Sequence, residues 1–141
     1  MSRLLDTDVI CQPVKTHGNL AVVRWLEREQ ASCFTSTFVI AQIAYWIRTK
    51  PGRVRERLQQ WLAESVEALE ERILSFNTAT AHVWAEQKFL LEQVGKPMPV
   101  EDSYIAATAR RHNLTIVTGT DADFRRPGLK VFNPFKELTG S

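Results

Sequence analysis

Long apolar runs are missing from this sequence. Nowhere in its 141 residues do about 18 apolar side chains follow one another, the length a membrane-spanning helix needs. The start of the chain also lacks the basic-then-apolar layout of a secretory leader. The expectation is a cytoplasmic protein with no membrane partner. Cysteine is scarce too: Cys11 and Cys33 stand alone, without the CxxC pairing of zinc or redox sites. His17, His82 and His112 are scattered and form no HExxH motif, so a metal held by nitrogen or sulfur is not expected. No repeat or low-complexity segment interrupts the chain. The formal net charge of +2 neither demands nor excludes a nucleic acid.

What is present suits a single domain over residues 1–141, large enough to bury roughly two-thirds of the surface its unfolded chain exposes. Short β-like segments alternate with helical ones. Leu4-Leu5 is an apolar strand, and Leu20 to Glu29 places Val22, Val23, Trp25 and Leu26 at helical spacing. Cys33 to Thr35 reads as a second strand, followed by Ser36 or Thr37 as the cap of a helix from Phe38 to Arg48. Pro51-Gly52 breaks that helix, and Val54, Leu58, Trp61 and Leu62 mark one face of the next. RILSF, residues 72–76, reads as a strand, with Thr78 capping a helix that runs to Gln93. Pro99 leads into a helix from Val100 to His112. LTIVT, residues 114–118, is the most β-like stretch, and Val131-Phe132 is a last strand. Such alternation implies a parallel sheet in an α/β sandwich.

The opening LLDTDVI sets Asp6 and Asp8 directly after the first strand. Turn and cap formation is one explanation. The other is that carboxylates at the carboxyl ends of parallel strands stand where open α/β sheets keep their sites. Asp102, in the first turn of its helix, is either a dipole-stabilising residue or a second site acid. Asp121 and Asp123 follow the strongest strand and carry the same ambiguity. Gln42 is the one strongly polar side chain in FVIAQIAYWI, residues 38–47, a helix apolar almost all round and therefore expected to be central. A buried amide there needs partners. Carboxylates gathered from distant segments repel one another unless a cation sits among them, and all-oxygen ligands suit Mg²⁺ or Mn²⁺.

LLDTDVI, FVIAQIAYWI, RILSF, PVEDSYIAATARRHNLTIVTGTDADF and the closing VFNPF resemble, in order and over nearly the whole chain, the PIN-domain ribonuclease toxins of the VapC and FitB type. The family shows LLDTN, a helix with an AE pair, D-x-x-I-A-A-T-A, an apolar strand, a T-R-N or T-R-D turn, and NPW near the end. The resemblance implies a three-layer α/β/α sandwich around a mainly parallel sheet. It further implies a divalent-metal-dependent endoribonuclease, the toxin of a type II toxin–antitoxin pair, with RNA as substrate, an antitoxin as partner and a homodimeric state. By the same resemblance Asp6, Asp102 and Asp123 are the metal-binding acids, while Asp6, Gln42, Asp102, Asp121 and Asp123 make up the catalytic set, with Asp121 or Asp123 completing the metal site.

Three departures from the family pattern bear on activity. Gln42 stands where the family has Glu, so it offers a carbonyl oxygen without charge. Thr120 stands where an acidic residue or Asn is usual, and Asp8 replaces the Asn of LLDTN. These changes imply attenuated cleavage or, as the alternative, a PIN-fold module that binds RNA or an antitoxin without cutting. The D-x-D opening also resembles haloacid-dehalogenase-type phosphotransferases, but two residues between Thr118 and Asp121 leave no room for that family's remaining motifs. Among the basic residues, Arg125-Arg126 are the expected phosphate contacts because they lie next to the acids.

Overall fold

The computed structural model describes residues 2–138; the single-domain expectation over 1–141 includes Met1 and residues 139–141, which lie outside them. Five short strands form the sheet: β1 (Arg3–Leu5), β2 (Cys33–Ser36), β3 (Ile73–Leu74), β4 (Thr115–Val117) and β5 (Lys130–Phe132). Their order is β3-β2-β1-β4-β5, and every pairing is parallel rather than mainly so. Parallel neighbours need crossover connections, and the helical segments between them supply these. Leu4 pairs with Phe34 on one side and with Ile116 on the other, which puts β1 at the centre. RILSF contributes only Ile73 and Leu74, because Ser75 and Phe76 are already exposed at the sheet edge.

Among the described residues eight α-helices surround the sheet: α1 (Thr7–Ile10), α2 (Leu20–Glu29), α3 (Thr37–Arg48), α4 (Gly52–Leu69), α5 (Thr78–Gln93), α6 (Val100–His112), α7 (Asp121–Phe124) and α8 (Pro134–Glu137). Side-chain caps set the starts of α2, α3 and α5: Asn19 Oδ1 accepts from the Val22 amide, Ser36 Oγ from the Val39 amide, and Asn77 Oδ1 from the Thr80 amide. Asn77, not Thr78, therefore caps α5. Helix α6 ends where Asn113 turns left-handed at φ 55°. Its small residues Ala106, Ala107 and Ala109, with Ile105, are buried and let the helix lie close to its neighbours. Trp84 Nε1 of α5 donates to Ser103 Oγ of α6 at 2.8 Å, and Arg110 Nε donates back to Gln87 Oε1 at 2.7 Å. Leu4, Val39, Ile43, Ile105, Ile116 and Phe124 form the centre of the core.

Helix α3 is not the all-round buried helix its composition predicts. Only Val39, Ile43 and Ile47 are buried; Ala41, Ala44 and Tyr45 face outward, with Tyr45 74% exposed. Apolarity on both faces here reflects a core side and an uncovered side. No helix among the described residues is long and apolar enough to cross a membrane.

Candidate active site

From β1 the sheet grows one way through β2 and β3 and the other way through β4 and β5. Connections diverge at such a point and leave a crevice outside the carboxyl ends of the strands. Here the crevice is a cleft of about 580 Å³ between the β1 and β4 ends, α3 and the start of α6. Asp6, Asp8, Gln42, Glu101, Asp102, Lys15 and Thr120 are among its lining residues.

Asp6 leaves β1 as the N-cap of α1, its Oδ1 accepting from the Thr7 amide at 2.8 Å. Its own amide donates to Val117 O at 2.9 Å, extending the β1–β4 ladder by one residue. The hydroxyl of Thr118, 112 residues further on, donates to Asp6 Oδ2 at 2.8 Å. Both carboxylate oxygens are thus fixed by donors. One residue beyond the start of α1, Asp8 is held by the Gly119 amide, which donates to its Oδ2 at 2.9 Å. Its Oδ1 is buried and has no hydrogen-bond partner. A Cβ at position 119 would collide with that carboxylate and come within 2.9 Å of the Phe135 ring, so any other residue there must displace Asp8 and Phe135.

Gln42 reaches the cleft from α3. Its Oε1 accepts from the Thr7 hydroxyl, and its Nε2 donates to Glu101 Oε2 at 3.2 Å. The amide is therefore partnered on both sides, and one of its partners is a carboxylate from α6. Sequence patterns do not single out Glu101 or Lys15. Glu101 carried a signal, being adjacent to Asp102, whereas Lys15 is brought to the cleft by the 3-10 turn at Gln12–Val14, which has no sequence periodicity to detect.

The acids feel one another. Burial raises the Asp6 carboxyl above its ordinary range; the Thr118 hydroxyl and Thr7 amide oppose this, and the charge of Asp123 adds to it. Asp8 is pushed up to about 6 by burial and by Asp6, against the pull of the Gly119 amide, Lys15 and the Val9 amide. Asp102 also rises to about 6, through burial and then the charges of Asp6, Asp123, Glu101 and Asp8. Asp123 is half-buried on α7; it does not line the cleft, but its charge reaches both Asp6 and Asp102. Among the described residues, no three acidic, histidine or cysteine side chains already converge on one point in the way a closed metal shell requires. Cys11 lines the cleft as well, but burial pushes its thiol up to about 11, which leaves it unreactive near neutral pH.

Asp121 has other business. Asn133 Nδ2 donates to its Oδ1 at 3.0 Å, Lys136 Nζ approaches the same oxygen at 3.3 Å, and Arg125 Nε donates to its Oδ2 at 3.1 Å. These donors, led by Asn133, pull its carboxyl down to about 2. The side chain ties α7 to α8. Replacing Asp121 by Ala removes one of the two acceptors of the buried Asn133 amide, which keeps only the Gly119 carbonyl, and is expected to cost about 1–3 kcal/mol of stability. Urea denaturation measures this, and an unchanged midpoint would show the network to be idle. Arg126 is also committed, donating to the carbonyls of Lys96, Pro97 and Ala122. Arg125 is paired with Asp121. The expected phosphate contacts thus carry intramolecular bonds at the surface, and among the described residues Lys15 brings a positive charge to the cleft.

Comparison with known proteins fits this geometry. Residues 3–129 match the model of the PIN domain. The chain belongs to the PIN domain family. This PIN domain is 31% identical over 137 residues to toxin FitB of Neisseria gonorrhoeae, covering 95% of the chain and 99% of FitB. It is 29% identical over 136 residues to VapC ribonuclease Y4jK of Sinorhizobium fredii, covering 94% and 97% of the two chains. Among solved structures, it superimposes on FitAcB from Neisseria gonorrhoeae with a TM-score of 0.87 at 32% identity, covering 94% of this chain and 98% of the other. VapBC2 from Rickettsia felis, bound to a DNA fragment from its promoter, follows at TM-score 0.80 and 26% identity, covering 94% and 98%.

Proposed function

We propose that this PIN-domain protein is the toxin of a type II toxin–antitoxin pair and hydrolyses RNA phosphodiester bonds with Mg²⁺ or Mn²⁺. One observation carries the reading: Asp6 and Asp102 line one cleft at the carboxyl ends of the central strands and the charge of Asp123 reaches both, in a chain related to a ribonuclease and a toxin along nearly its whole length. The donor set suits a hard divalent ion, since it is all oxygen, its members raise one another's affinity for protons, and one buried carboxylate oxygen lacks a partner. Asp6, Asp102 and Asp123 would hold that ion, while the network of Asp121 favours a positioning role for it. When bound, the ion supplies an activated water and offsets charge on the phosphate. Asp6 is fixed in advance by Thr7 and Thr118, which keeps its oxygens aimed without a later ordering cost. Lys15 faces the same cleft with a positive charge for the RNA backbone.

The partner reading rests on apolar surface. A second cleft of about 220 Å³ is lined by Ile10, Leu26, Trp61, Ala68 and Leu69 and suits the apolar face of an antitoxin helix. The outward side of α3, with Ala41, Ala44 and Tyr45, suits a homodimer contact. We place the protein in the cytoplasm, acting as one domain over 1–141.

Incubation with a structured RNA, with Mn²⁺ and with chelator, tests the activity. Cleavage in loops and single-stranded segments is expected with metal and none with chelator. Cleavage that ignores chelator would exclude the metal mechanism. The second reading, a binding module that does not cut, is favoured by the neutral, doubly bonded Gln42; RNA retention without cleavage at millimolar Mn²⁺ would establish it.

A further inference from the structure

We infer that Asp8 is part of the cation site and supplies the negative charge that Gln42 does not. The inference rests on the metal-nuclease reading above. Position 42 brings no charge to the cleft, and its carbonyl oxygen is already taken by the Thr7 hydroxyl. Asp8 brings a full carboxylate to the same cleft and has one oxygen to spare. Its Oδ2 is anchored by the Gly119 amide, in a space that any side chain at 119 would fill. Anchoring one oxygen fixes the direction of the other. That other oxygen, Oδ1, is buried and unpartnered, although a buried acceptor normally finds a donor or a cation. Lys15 lines the cleft but forms no ion pair with it among the described residues. Asp8 and Asp6 are two residues apart on one turn, so an ion held by Asp6 lies within the reach of both charges.

A structural role alone predicts something different. If Asp8 only anchors the Gly119 turn, Asn performs the task equally well, because its carbonyl oxygen also accepts from an amide. Asp8→Asn would then leave metal binding untouched. On the charge assignment, removing one negative charge several ångströms from a divalent ion weakens binding by about tenfold or more.

The test is calorimetric titration of Mn²⁺ into the wild type, Asp8→Asn, Asp8→Ser and the double variant Asp8→Asn/Gln42→Glu, together with their melting temperatures in chelator and in Mn²⁺. Both single variants are expected to bind Mn²⁺ about tenfold or more weakly and to lose most of the thermal shift that Mn²⁺ gives the wild type. The double variant moves the charge from one side of the cleft to the other and is expected to recover affinity to within a few-fold of wild type. Unchanged affinity in Asp8→Asn overturns the assignment of Asp8 and leaves the metal-nuclease reading intact. A wild type that binds no Mn²⁺ overturns both.

Discussion

Asp6→Asn is expected to reduce RNA cleavage by a factor of roughly 10³ or more while leaving the metal-free fold as stable as the wild type, or more so. Loss of activity follows from loss of a carboxylate that lines the cleft and would hold the ion. Retention of the fold follows from geometry. An Asn oxygen can still accept from the Thr7 amide, and its nitrogen can donate to Thr118 Oγ1, whose proton then turns to Thr120 Oγ1, 3.1 Å away. Burial disfavours the ionised Asp6, so a neutral replacement relieves a cost.

Asp8 and Asp102 extend the same logic to pH. Their folded-state values near 6 lie above the unfolded value of 3.8, so the native state binds more protons across that interval and stability falls as pH rises through it. Each tenfold difference in proton affinity between the folded and unfolded chain corresponds to about 1.4 kcal/mol, which makes Asp8 alone worth roughly 2–3 kcal/mol between about pH 4 and pH 8, and Asp102, half open to water, less. Chelated protein should therefore melt higher at about pH 5 than at about pH 8, and Mn²⁺ should remove the difference. A melting temperature that rises with pH in chelator would contradict the mutual repulsion described here.

Gln42→Glu is expected to tighten Mn²⁺ binding and raise cleavage at limiting metal by about tenfold, the value of one added charge at several ångströms in a partly solvated site. The gain has a cost without metal. The Gln42 amide currently donates to Glu101, and a second carboxylate there would face Glu101 with no donor between them. The metal-free variant should melt lower than the wild type, and Mn²⁺ should reverse the order. Destabilisation that metal does not rescue, with no gain in cleavage, would show that position 42 is a structural amide.

Sequence patterns revealed the fold through its long periodic elements. Helix α6 begins and ends where Pro99 and His112 suggested, since Pro99 sets its N-terminus and Asn113 readily turns left-handed. All five strands were legible as apolar or β-branched runs, although RILSF shrank to two residues once the sheet edge exposed the rest. The one-turn helices α1 and α7 were not legible, because four residues carry no period. They matter most to the site, for they aim Asp6, Asp8, Asp121 and Asp123. Position beyond a strand put Asp121 and Asp123 on equal terms; only the side chains of Asn133, Lys136 and Arg125, distributed over neighbouring segments, separate their environments. The exposure of Tyr45 was hidden for a related reason: apolar composition shows that a face will be covered, and not by what.

Thr118 and Asp6 are 112 residues apart, yet the hydroxyl of one fixes the carboxylate of the other. Asp102 and Asp123 likewise belong to the last third of the chain. During synthesis, then, a ribosome that has delivered β1, β2 and β3 has delivered no site, since neither the strand that flanks Asp6 nor the acids that complete the cleft have yet emerged. Lethality on the proposed reading arrives late, in the final moments of translation. On that reading a fragment cut short before residue 118 would be harmless, since it lacks Thr118 and Asp123.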